Sequence, residues 1–218
     1  MKPVLYLDHL RLSPYTYSVR SALREKGVDF ETREVEFEKA RVANSTSWYA
    51  GKSFTDLIPA LEHRGEVMSE SLAILEYVEE VFGGPSLYPA DPIERARARM
   101  LLSWYRCGFQ ALREERSTET VFFSAELRAK EPLSAKALDE VADWMNALRS
   151  WLKPGAAFLF EGRWTIADSE TALMLQRLIR NGDPVEERLV EYADRIWQRA
   201  SAAEFVDYPR GPYRSYYR

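Results

Sequence analysis

Ser13-Pro14 follows a strand-forming run, Pro3 to Asp8, after a short gap. Serine then proline is a good N-cap and first-turn pair, so a helix is expected to begin there. A hydroxyl at a helix N-terminus can donate a hydrogen bond to a bound anion, and the helix dipole adds to the attraction. Tyr15 and Thr16 carry two further hydroxyls beside it. Ser69-Glu70-Ser71 is a second place of this kind. It opens an apolar-periodic stretch containing Leu72, Ile74, Leu75, Val78 and Val81, with Ser69 as the expected cap. The N–H groups of that first turn and the Ser71 hydroxyl can hold a carboxylate, and Glu70 can pair with an ammonium group. Plain helix capping with an acidic first turn would explain the same residues.

The elements that must position these groups follow from the pattern. Pro3–Asp8 reads as a strand. The helix from Ser13-Pro14 carries Val19, Ala22 and Leu23 on one face and stops at Gly27. Phe30–Phe37 suits a second strand. Ala40–Gly51 is irregular or a short helix. Ile58-Pro59-Ala60-Leu61-Glu62 is a strand entered through a proline, Arg64-Gly65 a turn and Glu66-Val67-Met68 the return strand. The order is βαβ followed by ββα, which predicts a mixed four-stranded sheet.

Gly83-Gly84-Pro85 to Pro89-Ala90-Asp91-Pro92 collects helix stoppers and a new N-cap pair, and reads as a linker. Beyond it the signals are helical. One helix is expected over Ile93–Arg116, and another over Ser134–Leu152. A third opens at Thr165-Ile166-Ala167-Asp168, a capping box with aspartate at its third position. A fourth starts at Asp183-Pro184. The tail after Pro209 is either loose or pinned by its tyrosines. The expected domains are therefore 1–83, an α/β domain; 84–91, a linker; and 92–218, an all-α domain.

Composition limits the function classes. The net charge of −4 is spread along the chain without a basic block, which argues against a nucleic-acid footprint. No apolar run is long enough to span a membrane, and the N-terminal apolar stretch is too short for a signal peptide. A cytoplasmic location is expected. Cys107 is the single cysteine, which excludes an internal disulfide and a cysteine metal cluster, and its place on a helix suits a small core residue. His9 and His63 lack metal-site spacing, and no metal is expected.

Four segments carry a resemblance. They are Ser13-Pro14-Tyr15-Thr16 before the first helix, Leu57-Ile58-Pro59-Ala60-Leu61, Ser69-Glu70-Ser71-Leu72-Ala73-Ile74-Leu75-Glu76-Tyr77, and Thr165-Ile166-Ala167-Asp168. In this order they resemble the glutathione transferases, with their thioredoxin-like N-terminal half, "VPAL" segment, "ES-x-AI-x-x-Y" helix start and "SIAD" box. Residues 96–116 and 182–193 resemble one bacterial branch, the YfcF-like transferases.

The resemblance implies a glutathione site and gives each residue a role. Glu70 and Ser71 would hold the γ-glutamyl end. Ile58 would offer its backbone to the cysteinyl part, beside a cis bond at Pro59. Lys52 is the best-placed cation for the glycine carboxylate, although Leu57 stands where the family often has a basic residue. Ser13 would donate a hydrogen bond to the thiolate, with Tyr15 and Thr16 in reserve. With no cysteine in this loop, thiol exchange of the omega or glutaredoxin type is disfavoured there. Tyr105, Arg106, Arg113 and Arg116 either line a pocket for the second substrate or serve the structure, with Tyr105 in the core and the arginines solvated or paired with Glu114 and Glu115. The implied activity is conjugation to a small electrophile, and possible reduction of hydroperoxides, by a homodimer. The alternatives are a binding or scaffold protein without chemistry and a zeta-type glutathione-dependent isomerase.

Overall fold

The computed structural model describes residues 1–35, 55, 57–123, 127–160 and 162–213. Lys52, the end of the expected second strand and the stretch Ala40–Gly51 lie outside the described residues. The chain divides into two compact units. The first takes Met1–Pro85 and the C-terminal stretch from Ala203; the second is Ser86–Ala202.

In the first unit β1 (Val4–Asp8), α1 (Pro14–Glu25) and β2 (Glu31–Val35) are followed by β3 (Ala60–His63), β4 (Glu66–Ser69) and α2 (Ser71–Val81). The sheet order is β2-β1-β3-β4, with β1–β2 parallel and both other pairs antiparallel. This is the thioredoxin-like mixed sheet that the element order predicts. Side chains alternate along each strand. Leu5, Leu7 and Leu61 have no exposed surface and take the face on which α1 and α2 pack. Val4, Tyr6, Val35, Ala60 and Val67 form a cluster on the other face, with Ile58 packed against it. Arg64 and Gly65 close the β3–β4 hairpin at φ 55° and 88°, as a two-residue turn of the primed kind requires.

Helix α1 is capped as its sequence indicates: the Ser13 hydroxyl accepts from the Thr16 N–H at 3.2 Å. Helix α2 is not. Ser69 ends β4, and the N-cap position falls to Glu70, which sits at φ 72° and gives no side-chain cap. The turn from strand to helix is completed within one residue, so Ser69 is still paired to the sheet when the helix begins.

The second unit is helical: α3 (Pro92–Cys107), α4 (Gln110–Glu115), α5 (Thr118–Phe122), α6 (Ala135–Trp151), α7 (Ile166–Asn181) and α8 (Glu187–Trp197). Helix α9 (Ala200–Val206) follows it in the chain. The long helix expected over 93–116 breaks at Gly108-Phe109. Phe109 takes φ 58° and buries its ring against Trp104, Tyr105 and Trp144. A Cβ on Gly108 would stand 2.8 Å from the Trp104 ring, so only glycine allows that approach. Cys107 is exposed, not a core residue, because it faces outward in the last turn before the break. Helix α8 starts at Glu187, later than Asp183-Pro184 indicates. Asp183 is instead engaged by Arg116, at 2.6 and 2.9 Å.

Helix α7 is the centre of this unit, buried over nearly its whole length. Its capping box forms: Asp168 accepts from the Thr165 N–H and hydroxyl at 2.8 and 2.9 Å. The same carboxylate also accepts from the Leu159 N–H and the Tyr192 hydroxyl, each at 2.8 Å. Burial pushes its pKa up to about 6 against the pull of these four donors. An acid whose pKa is raised on folding favours the native state at low pH. That contribution is present below about pH 4 and is lost as pH rises through about 6. Asp168→Asn is expected to remove this part of the pH dependence and to destabilise the fold by about 3 kcal/mol, since asparagine keeps one acceptor oxygen and leaves two of the four buried donors without an acceptor. Urea unfolding of both proteins from pH 4 to 8 reads both effects.

Candidate functional site

The register of the sheet brings the sequence-predicted groups to one end of it. Ala60 is paired on one side with Tyr6 and on the other with Ser69. Those three residues form a row across β1, β3 and β4, with strands about 4.8 Å apart. Immediately beyond the row lie the end of β1 leading to Ser13, the Ile58–Pro59 bond leading into β3, and Glu70-Ser71 leaving β4. Ser13, Ile58, Pro59, Glu70 and Ser71 thus lie on three chain segments that meet at the same edge. Lys52 is outside the described residues.

Ser13 is held from both sides. Its hydroxyl oxygen accepts from Thr16, which leaves the hydroxyl hydrogen to be donated. Its backbone N–H points to the Asp8 carboxylate, 3.3 and 3.4 Å from the two oxygens, and the Leu12 N–H donates to the same group. Asp8 has no exposed surface. Burial raises its pKa, while the hydrogen bonds from Leu12 and Ser13 act in the opposite direction. Of the reserve hydroxyls, Thr16 is fully buried and Tyr15 half-buried.

The Ile58–Pro59 peptide bond is cis, as the resemblance implies. Pro59 is buried, Ile58 half-buried and Leu57 exposed. The Thr55 hydroxyl donates to the Ser69 hydroxyl at 2.7 Å, tying the approach to β3 to the end of β4. Glu70 is exposed and Ser71 buried at the start of α2. An anion at this helix start would meet first-turn N–H groups and the positive end of the dipole.

The second-unit candidates have structural occupations. Tyr105 is buried, its hydroxyl bonded to Thr171 at 2.8 Å and to the Trp144 indole at 2.9 Å. Arg106 makes a two-pronged pair with Glu170 at 2.7 and 2.8 Å, and Arg116 does the same with Asp183. Arg116 also donates to the Glu115 carbonyl at 3.0 Å. Arg113 donates to the Phe109 carbonyl at 3.4 Å. His63 is a buried strand residue bonded to the Tyr77 hydroxyl at 2.9 Å. Among the described residues no cluster of His, Cys, Asp or Glu has the form of a metal site. No described helix is long and apolar enough to cross a membrane. A cavity of about 450 Å³ lies at the other end of β1, but its two lysines are engaged: Lys2 with Asp29, and Lys26 with Glu79.

Sequence reading missed two groups near Ser13. Asp8 shows itself only as a charge ending an apolar strand. Arg210 carries no local signal, yet its guanidinium donates to the Leu10 and Arg11 carbonyls at 3.0 and 3.1 Å.

Asp8→Asn is expected to lower stability by about 2 kcal/mol, because two N–H donors of the loop lose an ionic acceptor. An unchanged urea midpoint would mean that the loop does not depend on this carboxylate.

Comparison with known proteins agrees with this architecture. Residues 3–80 match the family model for the glutathione S-transferase N-terminal domain, and residues 91–209 match that for the C-terminal domain. A solved glutathione transferase homologue from Burkholderia gl BGR1, with bound glutathione, is 31% identical and superposes with a TM-score of 0.75, covering 95% of this chain and 97% of that one. A probable glutathione S-transferase of Solanum tuberosum is 40% identical over 41% of this chain and 40% of its own length. The maleylacetoacetate isomerase of Rattus norvegicus is 37% identical over 51% of this chain and 50% of its own. The matches to the potato relative and to a tobacco one reach about two fifths of those proteins' length. Both domain models match in order and a neighbour aligns along almost the whole chain, so this protein belongs to the glutathione S-transferase family.

Proposed function

We propose that the first unit binds glutathione and activates its thiol as a thiolate for attack on a small electrophile. The observation that carries this reading is the Tyr6–Ala60–Ser69 row, which sets a donor hydroxyl, a strand-entry backbone and a helix start at one sheet edge. Ser71 and the first-turn N–H groups of α2 take the γ-glutamyl carboxylate, and Glu70 pairs with its ammonium. Ile58 offers its backbone to the cysteinyl part in the manner of an added strand. Lys52 is assigned to the glycine carboxylate from the resemblance alone.

Ser13 donates its hydroxyl hydrogen to the sulfur. A free thiol has a pKa near 8.5, and each unit of lowering is worth about 1.36 kcal/mol. One charge-assisted hydrogen bond and the α1 N-terminus can lower it enough to make thiolate the main species at neutral pH. The sulfur then attacks an electrophilic carbon to form a thioether as the leaving group departs, or attacks the terminal oxygen of a hydroperoxide, breaking the O–O bond to release an alcohol and leave glutathione sulfenic acid, which a second glutathione converts to the disulfide and water. Ser13 forms no covalent bond to either partner. Cys107 lies on α3 in the second unit, so this loop offers no mixed disulfide.

A zeta-type isomerase is the second reading, favoured by the likeness to the rat maleylacetoacetate isomerase. The Ser13-Pro14-Tyr15-Thr16 loop lacks that class's Ser-Ser-Cys run, which ranks it lower. The finer placement in the YfcF-like branch rests on residues 96–116 and 182–193. Homodimerisation and a cytoplasmic location, with no nucleic-acid or membrane partner, are proposed from the family resemblance and the charge pattern.

Ser13→Ala is expected to raise the pKa of the bound thiol by one to two units, roughly ten- to hundredfold in the thiolate-to-thiol ratio, with glutathione affinity within about threefold. Titration of thiolate absorbance and calorimetry measure the two quantities. An unchanged pKa would move the role to Tyr15 or a backbone amide. Glu70→Ala is expected to weaken binding severalfold without moving the thiol pKa. Turnover with chlorodinitrobenzene, cumene hydroperoxide and maleylacetoacetate separates conjugation, peroxide reduction and isomerisation. Failure to bind glutathione at all would leave only the scaffold reading.

A further inference from the structure

The C-terminal segment belongs to the first unit, and one side chain explains its position. All five guanidinium N–H groups of Arg210 end on backbone carbonyls. Nε donates to Leu10 at 3.0 Å. Nη1 donates to Val206 and Tyr208 at 2.9 and 3.2 Å, and Nη2 to Arg11 and Phe205 at 3.1 and 2.8 Å. Three of these carbonyls belong to Arg210's own segment and two to the loop between β1 and α1. The same loop is gripped from its other side by Asp8, which takes the N–H groups of Leu12 and Ser13. Carbonyls of two successive residues are thus held by a cation, and the N–H groups of the next two by an anion. Between them Arg11 takes φ 50°, a left-handed conformation that a non-glycine residue avoids unless its surroundings hold it there.

The rest of the segment is anchored independently. Phe205 packs edge-on against Tyr17 at 5.3 Å, and Glu204 pairs with Arg20 and Arg24 of α1. Arg11 lies over the Tyr208 ring at 3.5 Å, and the Tyr208 hydroxyl donates to Glu34 at 3.0 Å. The first anchor ties the segment to α1 and the second ties it to the loop and β2.

We propose that Arg210 is a positioning residue for the thiol site: with Asp8 it clamps Leu10–Ser13 from two sides and fixes where the Ser13 hydroxyl points. The C-terminal segment is then part of the glutathione-activating machinery rather than a tail. This rests on the role of Ser13 proposed above. Lysine would keep the charge but has three donors on a flexible stem, and cannot bridge two sets of carbonyls in the planar fork that arginine offers.

The test compares wild type, S13A, R210A and R210K for the pKa of the bound glutathione thiol, glutathione affinity and kcat. R210A and R210K are expected to raise the thiol pKa by about one unit and to lower kcat at neutral pH about threefold, as the thiolate fraction falls. Glutathione affinity should stay within about threefold, since Ile58, Glu70 and Ser71 do not depend on the clamp. A wild-type protein that leaves the thiol pKa unshifted sinks the site reading itself. A wild type that shifts it and an S13A that abolishes the shift, with folded R210A or R210K unchanged, sinks the clamp alone. If R210A does not fold, R210K decides. Hydrogen exchange on the wild type needs no variant: the amides of Leu12 and Ser13 and those of residues 205–208 and Arg210 should open as one cooperative unit. Exchange of 205–210 without loss of protection at Leu12 and Ser13 overturns the proposal.

Discussion

The pairing of Ala60 with Tyr6 on one side and Ser69 on the other is the constraint on which the proposed site depends. A slip of one residue in either ladder would turn every side chain of that strand to the opposite face. Leu5, Leu7 and Leu61 would then leave the helix-covered face, and the cluster around Val4, Tyr6 and Ala60 would be scrambled. The apolar alternation therefore holds the register, and the register decides which loops share an edge. No residue at that edge needs to recognise another for the three segments to meet.

Register alone delivers segments, not atoms. A hydroxyl that stabilises a thiolate must be placed to within a fraction of an ångström, since hydrogen-bond strength falls steeply with misalignment. Ser13 receives that accuracy from local bonds: its own oxygen is fixed by Thr16 and its N–H by Asp8. Asp8 is expensive to bury, and burial raises its pKa; Arg210, whose own pKa burial lowers to about 10, is favoured in its charged form by Asp8. The loop lies between two desolvated, opposite charges that spend their hydrogen bonds on its backbone. The second unit uses the same device, with Asp168 gathering four donors at the start of α7.

What could be read from sequence follows from how local each cause is. The Ser13-Pro14 cap, the Arg64-Gly65 hairpin and the Thr165–Asp168 box are each set by residues within a few positions, and each forms. Ser69 reads as a cap because its type fits. The strand keeps it, however, and Glu70 takes the turn at positive φ, which nothing in a glutamate announces. The break at Gly108-Phe109 hides in an otherwise helical pattern because its reason is tertiary: the pocket for the Phe109 ring is made partly by Trp144, on another helix. Cys107 follows from the same break. Arg106 and Arg116 take partners 64 and 67 residues away, beyond any local pattern.

Arg210 is the extreme case, bonded to a carbonyl 200 residues earlier in the chain. Its neighbours Pro209 and Gly211 read as the onset of a loose tail, and the pattern around it is right about backbone type: neither residue lies in a helix or strand. What local reading cannot supply is the destination of a side chain with five donors. Because those donors are spent on main-chain carbonyls, no side-chain type marks their acceptors in the sequence. A serine that acts by geometry rather than by bond formation has little tolerance for a mobile loop. In a chain with no cysteine at this position, the precision supplied by distant residues is therefore inseparable from the chemistry assigned to Ser13.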